Sequence, residues 1–303
     1  MAKSLSLFRI IALVFINIGV EIAWASEYVF SIPLLESLDL SRSTAGYAFL
    51  SAAVLSIVAL PFTGKLSDNF KSRLGKRRPF LIGLSFSVIA SSLALPYVAH
   101  LSVLTTKTRI VMAFVLIGIL DLSFKLIESL AHSIVIDVCP PHQQVTGNLA
   151  FSFSVGIGSV LGYFIGSQDL FKLFPVLTRY FSSEVILQFT ISSLIYIICF
   201  CVTLFGAQEQ STVNSSRRQE TSLIKGLAKT IKALPKTFKQ LVVIQIFSWS
   251  SVFAVFQFAT VFLEQLYIKE ILKLLQNCMR KVLGWVLWLW PWGLASVQSY
   301  HLC

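Results

Sequence analysis

The sequence predicts an all-α membrane protein: a six-span bundle, a long polar connection and a seventh span. Three observations lead there. The 303 residues are 55% hydrophobic and only 13% charged, with a mean hydropathy of +0.77; soluble domains carry about 25% charge. The apolar residues fall in repeated runs of about twenty, enough to cross roughly 30 Å of hydrocarbon as a helix. The formal net charge of +11 is concentrated in the connections between runs. That distribution is the positive-inside pattern of a membrane protein and predicts no nucleic-acid partner.

The spans are 8–35, 44–63, 80–99, 110–136, 147–167, 185–206 and 242–263. The first reads as a span expected to stay in the protein rather than as a cleavable leader: it is too long, carries Glu21 and Glu27, and lacks a small-residue cleavage site after it. The second, third, fifth and seventh have no charge in their cores. The sixth holds Cys199 and Cys201, read as small apolar-face thiols. With Cys139 in a short loop, the cysteine spacing is neither a disulfide framework nor a metal site.

Orientation follows from lysine and arginine. The N-terminus has Lys3 and Arg9. The connection 64–79 has Lys65, Lys71, Arg73, Lys76, Arg77 and Arg78 around one acid, Asp68. The connection 207–241 has Arg217, Arg218, Lys225, Lys229, Lys232, Lys236 and Lys239 against Glu209 and Glu220. All three fall on one side if spans alternate, so the N-terminus is expected in the cytosol. The membrane is expected to be the plasma membrane or that of an intracellular vesicle. The connections 36–43, 100–109 and 168–184 are short and mixed, as the other side requires.

Within 207–241, Leu223, Ile224, Leu227, Ile231 and Leu234 recur at helical spacing among lysines. This reads as a basic amphipathic helix on the membrane face, or else as a solvated linker helix. Four segments result: a bundle over 1–206, the connection 207–241, the span 242–263 and an atypical tail 264–303. The tail carries Lys269, Lys273, Arg280 and Lys281, then WVLWLWPWGL, whose tryptophans suit a membrane interface.

Ionisable residues inside spans mark function by default. In the fourth span Asp121, Lys125, Glu128 and His132 lie at offsets of 0, 4, 7 and 11. At 100° per residue they share roughly 60° of helix surface. Facing lipid, the three charges would cost about 2.5–3.5 kcal/mol each. One stripe facing a wet cavity avoids that cost. It also lets Lys125 pair with Asp121 at i,i+4 and with Glu128 at i,i+3. In the first span Asn17, Glu21, Trp24 and Tyr28 repeat these offsets, and Glu27 lies roughly 80° to one side. An aromatic beside polar groups suits a sugar, which stacks its faces and bonds its hydroxyls. It equally suits a packed interface, and the stripes read either as a proton or substrate pathway or as ion pairs that fix helix packing. His132 reads either as part of the pathway or as a neutral, hydrogen-bonded histidine.

Gly158, Gly162 and Gly166 in the fifth span are spaced by four, a stripe that lets two membrane helices approach closely. No Ser/His/Asp set, metal pair or cofactor loop is present, so no enzyme, cofactor or metal is expected.

The connection after the second span then becomes informative. Gly64, Asp68, Gly75 and Lys76-Arg77-Arg78 follow a glycine, acid, glycine, basic-cluster order. This resembles the signature between the second and third spans of the major facilitator proteins. The spacing of Asp68 to Gly75, with Pro79-Phe80 after, resembles the proton-associated sugar transporters of solute carrier family 45 and the plant sucrose transporters. Glu21-Ile-Ala-Trp-Ala-Ser-Glu27 with Pro33-Leu34-Leu35, Asp121 with Asp137-Val-Cys-Pro-Pro, and Gly156 to Gly166 with Asp169 resemble their first, fourth and fifth spans. Trp249 through Phe262 resembles the seventh. The likeness covers roughly 10–267.

It implies the N-terminal six-helix half of a major facilitator protein plus the start of the second half. It implies proton-coupled transport of a sucrose-like disaccharide or hexose by alternating access. Glu21, Trp24, Glu27, Asp121, Lys125, Glu128 and His132 are then expected on the substrate and proton pathway. Gly64, Asp68, Gly75, Arg77, Arg78 and Asp137 are expected at a cytosolic gate. The chain departs from the family pattern at Thr146, Val261, Glu264 and His132. The unmatched tail leads us to expect a C-terminally truncated form. Its partners are then a sugar, protons, the bilayer and a full-length homologous transporter.

Overall fold

A computed structural model describes residues 4–70, 72–101, 103–206, 235–237, 240–248 and 251. The chain divides into two units, Met1–Lys225 and Gly226–Cys303. In the second unit the described residues 236–237, 240–248 and 251 are helical. The amphipathic stretch at 223–234, most of the seventh span and the whole tail lie outside the described residues.

The first unit is mostly helical, and its described residues hold no strand. Its elements are α1 (Leu7–Glu36), α2 (Arg42–Ala45), α3 (Tyr47–Asn69), α4 (Arg78–Ala94), α5 (Thr106–Val138), α6 (Gln144–Gly166), α7 (Leu170–Leu173) and α8 (Glu184–Gly206). Six helical segments in this unit are long and apolar enough to cross a membrane.

Local chemistry sets their ends. Ser6 caps α1, its Oγ accepting from the Arg9 N–H at 3.4 Å, and Thr105 caps α5 in the same way for Thr108. Pro79 stands in the first turn of α4, where its missing N–H costs nothing. Pro96 follows α4 and the chain tightens into a 3-10 turn over Leu95–His100. Pro140 and Pro141 stop α5.

One boundary differs from expectation. The second span was expected to end at 63, with Gly64 and Asp68 in a connection. Instead α3 runs on to Asn69, because this polar stretch is compatible with helix and Ser67 bonds back to the Gly64 carbonyl at 2.9 Å. Both motif residues therefore sit on the last turns of a helix. The true connection is short, and Gly75, at φ 99°, makes the left-handed turn that a side chain would strain.

The core centres on α1, which packs against α5, α6 and α8, while α5 also meets α3 and α4. Ile10, Leu13, Ile16 and Val20 of α1 join Ile117, Leu120, Phe124 and Ile127 of α5 in one cluster. Hydroxyls supplement this apolar packing. Ser26 bonds Ser192 at 2.5 Å, Ser85 bonds Tyr196 at 2.7 Å and Ser92 bonds Ser193 at 2.9 Å. Thr203 of α8 accepts from the Ile16 N–H and donates to the Ala12 carbonyl of α1, both at 2.9 Å. Such interhelical bonds are worth about 0.6–2 kcal/mol each in a bilayer.

Candidate functional site

The charged stripe of α5 runs from sealed to open. Asp121 is fully buried. Its Oδ2 accepts from Lys125 Nζ at 2.5 Å, the expected i,i+4 pair. Its Oδ1 accepts from the indole N–H of Trp24 on α1 at 3.1 Å. The expected Lys125–Glu128 pair is not made among the described residues, because the ammonium is committed to Asp121. Further along, Lys125, Glu128, Ser129 and His132 line a cavity of about 490 Å³ with Leu60 and Pro61 of α3 and Phe151 of α6. His132 Nε2 stands 3.3 Å from Asn148 Oδ1, and its ring lies 4.7 Å from that of Phe151.

The polar face of α1 fans out to three helices. Asn17 Nδ2 donates to Ser154 Oγ at 3.4 Å, and Glu21 Oε2 accepts from Ser159 Oγ at 2.6 Å, both on α6. Trp24 turns to α5. Its ring stacks on Tyr28 at 6.0 Å and tilts against Phe124 at 6.0 Å. Tyr28 in turn stacks on Phe49 of α3 at 5.2 Å. Glu27 does not line the cavity. It is fully buried, and neither carboxyl oxygen has a hydrogen-bond partner. It lies within electrostatic range of Asp121 and Lys125. Three carboxyl groups thus lie within range of one ammonium, Asp121, Glu27 and Glu128 around Lys125, and Glu21 lies within range of Glu128. A buried, unpaired carboxylate such as Glu27 is expensive.

A second constellation ties the ends of α3, α4 and α5. Arg77 donates to Asp68 at 2.9 Å through Nη2 and to Asp137 at 2.7 Å through Nε. Lys76 reaches the same two acids at 3.6 and 2.9 Å. Arg77 is buried, whereas the Asp68 side chain is half exposed. Arg78 begins α4 beside this knot. Gly64, one turn before Asp68, faces open space.

The glycines of α6 differ from one another. A Cβ on Gly158 would meet Glu21 Cβ at 2.7 Å, and one on Gly162 would meet Ala25 Cβ at 2.7 Å and Ile22 Cα at 2.9 Å. At Gly166 the nearest atom would be Val29 Cγ2 at 3.6 Å, an ordinary contact. The close approach of α1 and α6 therefore spans two of the three positions.

Sequence reasoning missed Ser159, Asn148, Phe151 and Phe49. The available signal was weak: Asn148 and Ser159 are two of several small polar residues spread along α6. Nothing in their spacing identifies partners on α1 and α5.

Fold and site together define an all-α, multi-pass membrane protein with a charged cavity between its helices. Residues 10–297 match the Major Facilitator Superfamily, and the chain belongs to that superfamily. The match runs past residue 267, where the motif-by-motif likeness stops. The chain is 26% identical over 278 residues to the general alpha-glucoside permease of Schizosaccharomyces pombe, covering 88% of this chain and 50% of that protein. It is 25% identical over 226 residues to a sucrose transport protein of Arabidopsis thaliana, covering 69% and 38%. It is 27% identical over 202 residues to solute carrier family 45 member 3 of Mus musculus, covering 64% and 36%. The chain thus spans half or less of the length of these relatives.

Proposed function

We propose that this protein carries a sugar, a sucrose-like disaccharide or a hexose, across a membrane together with protons by alternating access. The observation that carries the reading is the Lys125 ammonium, bonded to Asp121 and within range of Glu27 and Glu128, at a cavity with two unlike walls. Lys125, Glu128, Ser129 and His132 offer donors and acceptors, and Leu60, Pro61 and Phe151 offer apolar surface. Hydroxyls pair with the first wall and a pyranose face lies against the second. The volume falls in the range of small-molecule sites, about 300–1,000 Å³. The names of the yeast and plant relatives, an alpha-glucoside permease and a sucrose transport protein, support the same substrate class.

In this reading Glu21, Trp24, Glu27, Asp121, Lys125, Glu128 and His132 form the substrate and proton pathway. Gly64, Asp68, Gly75, Arg77, Arg78 and Asp137 form a cytosolic gate, and the N-terminus is cytosolic. Gly158 and Gly162 hold α6 against α1, with Gly166 at the looser end of the same stripe. The membrane is the plasma membrane or that of an intracellular vesicle.

Uptake of labelled sucrose and glucose into vesicles holding the full chain, at two external pH values, tests the proposal. Uptake of one sugar that rises at the lower external pH supports it. Uptake absent at both values overturns it for this chain. A second reading is then favoured by the coverage of the relatives: a non-transporting membrane protein that binds or regulates a full-length transporter. Co-purification with such a transporter, without uptake by the chain itself, is its signature.

A further inference from the structure

Lys125 stands between two acids on one stripe of α5, with Asp121 a turn before it and Glu128 a turn after. It is bonded to the first alone among the described residues. Asp121 commits both oxygens, Oδ1 to Trp24 and Oδ2 to Lys125. Glu128 has no ion pair among the described residues, and the charges that reach it are Glu21 and Lys125. Lys125 and Glu128 already line the same cavity, whereas Asp121 is sealed behind them.

We propose that Lys125 changes partner from Asp121 to Glu128 when Asp121 takes up a proton, so that the ammonium moves into the cavity as the proton arrives. This rests on the carrier reading of that cavity. The step balances simply. As the ammonium moves off Oδ2 and opens that oxygen to the cavity, a proton from cavity water takes its place and makes a neutral carboxylic acid; Oδ1 still accepts from Trp24, and Lys125 keeps its three protons. The ammonium then faces a neutral group, and its attraction to Glu128 is no longer opposed.

Other titratable groups face this region. They are Glu21, Glu27 and Tyr28 from α1, His132 from α5 itself and Tyr163 from α6. On the α3 side the neighbours are apolar: Phe49, Leu60 and Pro61. Among the described residues Glu27, being within electrostatic range of Lys125, is a competing acceptor. Reaching it would bury the ammonium fully, whereas Glu128 keeps it hydrated. The move to Glu128 also relieves the repulsion between Glu128 and Glu21. With the proton bound, the cavity presents an ammonium and a carboxylate side by side to a ligand rich in hydroxyls. Without it, the ammonium is drawn back.

A pair of double-mutant cycles on the full chain in detergent tests this, read as thermal unfolding midpoints. The cycle combines Lys125→Met with Glu128→Gln, in the native background and with Asp121→Asn, which mimics the proton. Coupling near zero is expected natively, and a coupling shift of about 2–4 °C with Asp121→Asn. Equal coupling in the two backgrounds overturns the exchange. So does coupling of Lys125 to Glu27, measured with Glu27→Gln, in place of Glu128. If Asp121→Asn does not fold, Asp121→Ser supplies the neutral background. Sugar uptake is not read in these cycles, so failure of the exchange and failure of the carrier reading are separate outcomes.

Discussion

Asp121 is the residue on which the site turns, because two helices and one cation meet at its carboxyl group. Trp24→Phe keeps the ring contacts with Tyr28 and Phe124 but removes the donor to Oδ1. A buried acceptor left without its donor costs about 1–3 kcal/mol, so a lowered thermal midpoint in detergent is expected. An unchanged midpoint would show that the indole N–H contributes only packing. At this scale the sequence is legible where geometry is local. The Asp121–Lys125 pair follows from counting along one helix, since i and i+4 are neighbours by construction. The bond from Ser159 to Glu21 joins residues 138 positions apart, and no helical count reaches it. Glu27 shows the same limit. Its angle from the polar stripe can be computed, but that angle does not say whether the flank is wet or sealed.

Between elements, the contact of α1 with α6 sets how near the acid-bearing helix stands to its neighbour. Gly162→Ala would press a methyl against the Ala25 side chain and the Ile22 backbone, and backbone yields little. A loss of about 1–3 kcal/mol is expected. Gly166→Ala meets only an ordinary contact at 3.6 Å and stands at the last residue of α6, so its midpoint should hold. Thermal unfolding of the two variants side by side checks both, and equal losses would overturn the distinction drawn within the stripe. The spacing of four made the stripe visible, but which glycines touch depends on the angle at which the helices cross. That angle is a property of the pair and is written in neither helix alone. Helix ends were legible to within a few residues where proline or a capping hydroxyl marks them. The far end of α3 was not, because polar residues with no breaker among them read equally well as helix or connection.

For the whole molecule, the number of spans in the first unit and the basic character of its connections follow from hydrophobic run length and charge, which a bilayer sorts strongly. Sidedness is open to direct measurement. Ser72→Cys, in a background without other cysteines, places a thiol in the turn between α3 and α4. Membrane-impermeant maleimide should modify it in permeabilised cells and not in intact ones; modification in intact cells would invert the topology. The central position of α1 also has a consequence for how the protein is made. Of the six described spans α1 enters the membrane before the others, carrying Asn17, Glu21 and Glu27, yet its hydroxyl partner on α8 lies 187 residues further along the chain. At about 5–20 residues per second of synthesis, the wait is roughly 10–40 s. α5, α6 and α8 follow one after another over that time, and until each arrives the acids of α1 lack its cover, for which lipid is a poor substitute. The first helix is therefore expected to linger beside the insertion machinery until the last arrives, which makes translation speed a determinant of yield.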